Sequence, residues 1–429
     1  MKIKEKGDES MHLETLSENE IICTLIALAL LLLGAYVCGN LFEKIKAPRV
    51  VGEIIGGMFW GGSCMYLFFP DFINVIFAGF EAEGKVLNIF YQLGLVFLMF
   101  LSGYNTNIEV DRKNGKIITF VLIGSTVLPM LCAIPFISMF MGDYIGTLNN
   151  QISFGIVFTI GVAITSIPVI SKIFFDMGIM NTTFSNTILT VATLQDLLLW
   201  ILLNAATRIA ATGELKVLDM VVVVVITLGL FGAVKVVSKH AKSRKKSIKS
   251  IDFYSVCIVI LLLIAALLSL AGINIMYSAF LVGYVVKAVV GCDDETKSKM
   301  EALGNIAFSF FIPIYFALVG IQLNVVNDFS VARFAVFFVI AFGLEAVGTL
   351  IMLQFTNLTK ASKINFAVTM NARGGPGIVL ATVAYSAGII NLEFFTVLIL
   401  TTMLSSLIAG YWLRRQQKID EKVFMKLTK

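Results

Sequence analysis

The stretch TMNARGGPGIVLA (369–381) places three glycines, a proline and an arginine inside an otherwise apolar run. A second apolar run, GVAITSIPVISK (161–172), carries Thr165, Ser166 and Pro168 near its middle. Proline removes a backbone donor and clashes with the preceding turn of a helix, and glycine favours unwinding. Both stretches therefore predict a helix that is interrupted partway along its length.

The composition predicts that the solvent of this chain is largely lipid. Of its 429 residues, 58% are hydrophobic and only 14% are charged, and the mean hydropathy is +0.90. Soluble domains carry about 25% charged residues, so a soluble chain of this composition could not cover its surface with polar groups. The polar start (1–20) precedes an apolar run without a small-residue cleavage site, which predicts a retained span rather than a signal peptide.

Thirteen apolar runs are long enough to cross a bilayer, which takes about 20 residues of helix. They predict an all-α polytopic membrane protein with an external tail (1–20), a transmembrane region (21–413) and a basic cytoplasmic tail (414–429). The predicted spans are 21–40, 50–69, 87–103, 117–141, 152–175, 184–206, 217–237, 253–271, 274–290, 302–323, 331–354, 365–388 and 394–413.

The distribution of Lys and Arg predicts the orientation. An odd number of spans puts the two termini on opposite sides, and cytoplasmic loops carry an excess of basic residues. With the N-terminus outside, most of the 33 Lys and Arg residues fall on the cytoplasmic side. We expect the densest loop, KHAKSRKKSIK (239–249), to fix the topology and to contact lipid headgroups rather than to regulate. Topology thus accounts for the net charge of +5 without a nucleic-acid partner.

Four ionisable residues lie inside predicted spans, where such groups are costly and mark function by default. They are Glu53, Asp196, Glu345 and Arg373. Asp196 is the strongest candidate, because it lies near the middle of TVATLQDLLLWILL (190–203), far from any basic residue in the sequence. A carboxylate there can hold a proton or a small dehydrated cation but not both, which is the minimum requirement for exchange. The alternative is a structural aspartate that bonds neighbouring hydroxyls.

The two interrupted spans occupy corresponding positions in the chain, since each is the second of three spans (4–6 and 11–13). Corresponding interrupted spans point to the binding site of a transporter built from inverted repeats. We expect the cluster of Gly374, Gly375, Pro376 and Gly377 to be unwound, because non-helical backbone survives at membrane depth where protein or a water-filled cavity covers it.

Span 2 carries weaker signals. Its pairs Gly52/Gly56 and Gly57/Gly61 predict close approach of other helices. Glu53 either pairs with Arg49 or lines an entrance.

Several classes of site are not predicted. His12 and His240 lie outside the spans and the six cysteines lack paired spacing, so we expect neither a metal site nor a disulfide framework. No phosphate-binding glycine pattern follows a strand, so we expect no cofactor and no ATP-driven transport. A paired acid and base of a membrane enzyme is also missing from the sequence, which favours a transporter over an enzyme.

Six motifs, taken in order, resemble the second branch of the monovalent cation–proton antiporter family. The resemblance covers about residues 20–413 and implies a sodium–proton antiporter fold with two crossed broken helices, in a cell-membrane homodimer that serves pH homeostasis. It also implies a core domain (about 117–206 and 331–413) that moves against a dimerisation domain made of the remaining helices. The motifs are PRVVGEIIGG (48–57), GLVFLMFLSGYNTN (94–107), AITSIPVISKIFFDMGIMNT (163–182), LQD (194–196), FFIPIYFALVGIQL (310–323) and NARGGPGIVLA (371–381).

Carried over residue by residue, the resemblance implies a cation and proton site at Asp196. Thr165 and Ser166 match the unwound crossing beside it, with Pro168 as a supporting residue. Gln195 stands where the electrogenic members have a first aspartate, which gives the Gln-Asp pair of potassium-efflux-type members.

The resemblance also assigns supporting roles in spans 11 and 12. Glu345 stands where the electrogenic members carry a lysine, and Arg373 matches the family's arginine before the broken segment that includes Gly374, Gly375 and Pro376. We expect a structural pair between Glu345 and Arg373, with a second proton site at Glu345 as the alternative. The transported ion is then a monovalent cation exchanged for protons, most simply without net charge movement.

Three other functions stay open at this point. They are a sodium-coupled organic solute transporter of related fold, a channel-like potassium efflux protein, and a membrane receptor, which the lack of a predicted output domain disfavours. The sequence does not distinguish sodium, potassium and ammonium, because one carboxylate and a few neutral oxygens suit each of them.

Overall fold

The computed structural model describes residues 15–105, 114–180, 182–213, 225, 229, 250–290, 294–326, 329–420 and 423–424. These described residues are almost entirely helical, and an isolated bridge joins Ile145 to Ile390. The helices are α1 (Glu18–Lys44), α2 (Arg49–Trp60), α3 (Met65–Phe68), α4 (Pro70–Phe77), α5 (Glu83–Asn105), α6 (Gly115–Tyr144, with a π turn at Ile123–Val127), α7 (Gln151–Val162), α8 (Ile167–Asp176), α9 (Thr183–Thr212), α10 (Ser250–Leu270), α11 (Ile275–Val290), α12 (Asp294–Ile306, continued through a π turn by Ile312–Gln322), α13 (Val331–Leu353), α14 (Lys360–Met370), α15 (Gly374–Ser386) and α16 (Leu392–Ile419).

Ten membrane-spanning segments in the described part of the chain are long and apolar enough to cross a bilayer. The predicted span 274–290 corresponds to the shorter helix α11, and span 365–388 corresponds to the two half-helices α14 and α15. Except for residues 225 and 229, span 217–237 lies outside the described residues, as do the basic loop 239–249, His12 and His240. The prediction of an all-α, multi-pass membrane protein is confirmed.

Several of the described helices begin at capping side chains that the sequence supplies. Ser17 and Glu20 form a reciprocal capping box at the start of α1. Asparagine, serine or threonine side chains accept a backbone N–H at the start of the other capped helices, and Gly213 ends α9 in the left-handed conformation. The capping residues are Asn150, Ser166, Thr182, Ser330, Thr359 and Asn391.

The helix pairs that pack extensively fall into two sets. The scaffold set comprises α1–α5 and α10–α12, and the crossing set comprises α6–α9 and α13–α16. Within each set several helix pairs pack closely, many of them far apart in the sequence, whereas the contacts between the sets are sparse among the described residues. The two sets cover the ranges of the predicted dimerisation and core domains, and their relative movement stays a prediction.

The glycines of α2 explain the tight packing of the scaffold set. A β-carbon at Gly52 or Gly56 would overlap the backbone of α1, and one at Gly57 or Gly61 would overlap the backbone of α12. The two small-residue pairs thus face two different neighbours, in agreement with the packing role predicted for them. Glu53, on the same helix, pairs with Arg49 at 2.9 Å and belongs to the scaffold set.

Candidate ion site at the crossing of two interrupted helices

The first interruption separates α7 from α8. Helix α7 ends at Val162 and α8 begins at Ile167, so residues 163–166 are not helical. Ser166 caps α8 by accepting the N–H of Val169 at 3.4 Å. Pro168 lies in the first turn of α8, where its missing N–H leaves no helical bond unmade. The predicted break is present, and it lies just before the proline.

The second interruption separates α14 from α15 and corrects an expectation. Helix α14 ends at Met370 and α15 begins at Gly374, so the non-helical residues are 371–373. The expectation that Gly374, Gly375, Pro376 and Gly377 are unwound is wrong, since they form the first turn of α15. Proline is tolerated there because the first N–H groups of a helix have no partner within it.

Two of these glycines are explained by the close approach of neighbouring side chains rather than by an unwound backbone. Gly374 has a φ of +43°, and a β-carbon on it would overlap the side chains of Ser166 and Val169. A β-carbon at Gly377 would overlap the hydroxyl of Thr402 on α16. A β-carbon at Gly375 would have no heavy atom within 4 Å. Gly374 therefore marks the point where the two interrupted helices cross.

The two breaks hydrogen-bond to each other directly. The N–H of Ser166 donates to the carbonyl of Ala372 at 2.6 Å, and the Thr165 hydroxyl donates to the carbonyl of Met370 at 2.6 Å. These bonds satisfy backbone groups that both helices leave free at their broken ends. Thr165 and Ser166, both fully buried, thus lie at the crossing as the sequence predicted.

A buried ion pair links helix α13 to both breaks. An Nη2 hydrogen of Arg373 donates to Glu345 Oε2 at 2.9 Å, and Nη2 also donates to the carbonyl of Val162 at 2.9 Å. Glu345 Oε1 lies 3.2 Å from the Thr165 hydroxyl. The side chains of Arg373 and Glu345 are 1% and 0% exposed. The predicted contact between Glu345 and Arg373 is therefore made, and their charges compensate each other.

Asp196 and Gln195 approach the crossing from helix α9. Gln195 Nε2 donates to the carbonyl of Ala163 within the first break. Asp196 is 1% exposed, and in the described part of the protein its Oδ2 has no hydrogen-bond partner. Gln195 Oε1 is likewise buried without a partner there. An unsatisfied buried polar atom is costly and calls for an explanation; for a carboxylate oxygen, a proton or a cation provides one.

Two residues at the crossing were not singled out from the sequence. Asn371 lies in the second break, where its Nδ2 donates to Ala367 at 3.0 Å and its buried Oδ1 has no partner among the described residues. Ser406 of α16 accepts the N–H of Gly374 at 3.1 Å. The sequence could have pointed to Asn371, because it lies inside the NARGGPG motif. For Ser406 the sequence shows only a hydroxyl residue within an apolar span, which does not distinguish it from other such residues.

The family follows from comparison with known proteins. The model of the family described as "Sodium/hydrogen exchanger, transmembrane" matches residues 28–416. This chain is a member of the sodium/hydrogen exchanger family. The resemblance stated from its motifs is thereby confirmed.

Relatives of this chain come from bacteria, fungi and plants. It is 24% identical over 406 residues to the Na+/H+ antiporter NhaS4 of Synechocystis, which covers 92% of this chain and 97% of the relative. It is 26% identical to the K+/H+ antiporter 1 of Saccharomyces cerevisiae and 21% identical to the cation/H+ antiporter 17 of Arabidopsis thaliana. The chain spans 43% of the length of the yeast relative and 48% of the length of the plant relative.

The solved sodium proton antiporter MjNhaP1 from Methanocaldococcus jannaschii has a similar fold. The TM-score is 0.62 at 14% sequence identity, and the match covers 95% of this chain and 99% of the archaeal chain. This likeness confirms the predicted antiporter fold.

Proposed function

We propose that this exchanger is a secondary antiporter that exchanges a monovalent cation, Na+ or K+, for H+ by alternating access. The observation that carries the proposal is the buried Asp196 carboxylate, whose Oδ2 has no partner in the described part of the chain, beside two crossed helix breaks. Proton and cation compete for that oxygen, so the carrier is loaded with one or the other. Membership in the sodium/hydrogen exchanger family, and the similarity to a Na+/H+ antiporter and a K+/H+ antiporter, support the same reaction.

The cation ligands that we propose are oxygens that have no other partner. Asp196 Oδ2, Gln195 Oε1 and Asn371 Oδ1 meet that condition among the described residues. The Thr165 hydroxyl and the Ser166 N–H are held by bonds across the crossing, so we assign both residues to the geometry of the site. The donating Thr165 oxygen keeps lone pairs for the ion. Carboxylate and amide oxygens suit hard cations, and no resident metal or cofactor is part of this proposal.

The exchange that we propose is electroneutral. Gln195 is neutral, and Glu345 is compensated by Arg373 at 2.9 Å, so Asp196 alone is left to be charged. One cation or one proton neutralises it equally, and the loaded carrier then has the same charge in both directions. A second proton site at Glu345 would instead make the cycle electrogenic.

We place the protein in the cell membrane with the N-terminus outside and the C-terminus in the cytoplasm, because that orientation puts most basic residues inside. We further propose a homodimer formed through the scaffold set, with the crossing set as the moving part. The sparse contacts between the two sets support this division.

Exchange in proteoliposomes tests the assignment of Asp196. Sodium, potassium and lithium are added in turn against an imposed pH gradient, and the internal pH is followed with a trapped dye. We expect cation-dependent proton movement that Asp196→Asn abolishes, whereas Asp71→Asn on the exposed part of α4 retains it. Near-normal exchange by Asp196→Asn would contradict the assignment, and solute uptake without proton movement would favour an organic solute transporter.

Current measurements on solid-supported membranes test electroneutrality. A jump in cation concentration should produce proton movement without a transient charge displacement above that of protein-free membranes. A sustained transport current that disappears in Glu345→Gln would identify Glu345 as a second proton site. A current far above carrier turnover would indicate a channel.

A further inference from the structure

In the described part of the chain, polar contacts between the scaffold set and the crossing set lie at the two ends of the interface and near its middle. At the proposed external end, Asn204 Oδ1 accepts the N–H of Asn274 at 2.5 Å, and Arg208 donates to the carbonyl of Gly272 at 3.0 Å. Nearer the middle, the hydroxyls of Tyr315 on α12 and Thr382 on α15 lie 3.1 Å apart. No carboxylate takes part in these external and central contacts.

The proposed cytoplasmic end is different, because a chain of four charged side chains closes it. Lys172 of α8 lies 3.4 Å from Glu43 of α1 and 3.1 Å from Asp176 on its own helix. Arg414 of α16 lies 3.4 Å from Asp176 and donates to the carbonyl of Lys46, just beyond the end of α1. Two acids and two bases thus alternate along one line that crosses from the crossing set to the scaffold set.

The turn after α1 is shaped for this contact. Lys46 has a φ of +60°, a left-handed conformation that is uncommon for a residue with a side chain. It stands at the position after a helix end where glycine is usual. The carbonyl oxygen of Lys46 accepts a hydrogen bond from Arg414, so the residue with the left-handed backbone also contacts one of the four charged side chains.

Helix α8 connects this chain of charges to the ion site. It has 10 residues and is therefore about 15 Å long. Ser166, in the first break, caps its start, and Asp176 is its last residue. A short, continuous helix is stiff, so opening at the charged end would also displace the break beside Asp196.

We propose that Glu43, Lys172, Asp176 and Arg414 form an ionic latch that holds the cytoplasmic end of the interface closed, so that its opening controls access from the cytoplasm to Asp196. This inference rests on the proposed function, because it assigns the two sets to the two parts of an alternating-access cycle. The pairs are partly exposed, and such pairs shift an equilibrium by up to about five-fold each. The latch is therefore strong enough to bias the cycle and weak enough to open in every turnover.

The sidedness of cation affinity tests the latch. In Glu43→Gln the inward-open population should rise, so the half-saturating cation concentration should fall at the cytoplasmic face and rise at the external face, each by up to about five-fold. Lys172→Gln should do the same, and the double variant should shift affinity by less than the sum of the two. General damage to the site would weaken affinity at both faces, and that result would overturn the proposal.

A matched control exists at the opposite end of the crossing set. Arg333 pairs with Asp143 at 3.1 Å, and their side chains are 45% and 49% exposed, compared with 53% and 45% for Lys172 and Glu43. Both residues of this control pair belong to the crossing set. Arg333→Gln should leave the ratio of the two half-saturating concentrations unchanged. A shift as large as that of Lys172→Gln would contradict the latch.

Cross-linking gives a second test, which also separates the latch from the proposed function. In a background without native cysteines, Glu43→Cys/Lys172→Cys bridged by a short cleavable reagent should lose exchange and regain it on reduction, whereas bridged Asp143→Cys/Arg333→Cys should keep exchanging. Continued exchange after complete bridging at the latch would overturn the proposal. The yield of the bridge, measured by mass spectrometry, needs no transport: Arg414→Gln should lower it up to about five-fold, and an unchanged yield would count against the latch.

Discussion

A methyl group added at Gly374 is expected to disturb the crossing more than one added at its neighbour. The β-carbon of Gly374→Ala would overlap the Ser166 hydroxyl and a methyl group of Val169. The residue also has a φ of +43°, which an L-amino acid adopts with strain. Gly375→Ala adds the same methyl group in the same helical turn with no heavy atom within 4 Å.

The changes in the free energy of unfolding caused by the two substitutions should differ in sign as well as in size. The left-handed conformation costs about 1–2 kcal/mol for a residue with a side chain, and overpacking at a buried site costs about 1–3 kcal/mol. Gly374→Ala should therefore destabilise the fold by about 2–5 kcal/mol. Gly375→Ala should stabilise it by about 0.5–1 kcal/mol, because alanine loses less backbone entropy in a helix.

Unfolding by denaturant in detergent measures the stability difference, and proteoliposome exchange per folded protein measures function. Gly374→Ala should lose most exchange because the two breaks can no longer approach, while Gly375→Ala should exchange at the wild-type rate. Adding Ser166→Gly to Gly374→Ala should recover only part of the steric loss, because the overlap with Val169 and the strain at the positive φ remain. Equal stability and exchange in the two alanine variants would refute the idea that Gly374 is the contact point.

Three further outcomes follow from the same contacts. Glu345→Gln should destabilise the protein by about 3–5 kcal/mol in the same unfolding assay, because it leaves Arg373 buried without its counter-charge; a loss below 1 kcal/mol would contradict a structural pair. Gly57→Ala should lower stability by about 1–3 kcal/mol, because its β-carbon meets the backbone of Ala317, with exchange per folded protein retained. Ser406→Ala should cost about 1–3 kcal/mol, since the first N–H of α15 then lacks an acceptor, and Ser406→Thr should restore most of it.

The spans and the candidate carboxylate were predictable because their signals are local. A helix of about 20 apolar residues is long enough to cross the bilayer, regardless of which helices pack against it. Asp196 stood out because an acidic side chain inside such a run is costly wherever the helix packs. The same reasoning located both interruptions, since proline and glycine act on the turn in which they lie.

The finer geometry was not predictable because it depends on the partner helix. The sequence put the second break at the glycine cluster, whereas the break lies at residues 371–373 and the cluster begins α15. A glycine is required at position 374 because a β-carbon there would overlap Ser166, which lies more than 200 positions away in the sequence. Ser406 was missed for the same reason, because its acceptor role exists only when α16 packs against the start of α15.

The charge balance at the crossing supports a site with one titrating group. Helices α8 and α15 begin there and α7 and α14 end there, so two positive and two negative helix ends meet, and their partial charges largely cancel. Ser166 and Ser406 accept N–H groups at the two starts, which satisfies donors that an anion would otherwise attract. Arg373 is compensated by Glu345. Among the described residues of the crossing, the carboxylate left without a counter-charge is that of Asp196. In the site that we propose, a single positive charge, from a proton or from a cation, is enough to neutralise it.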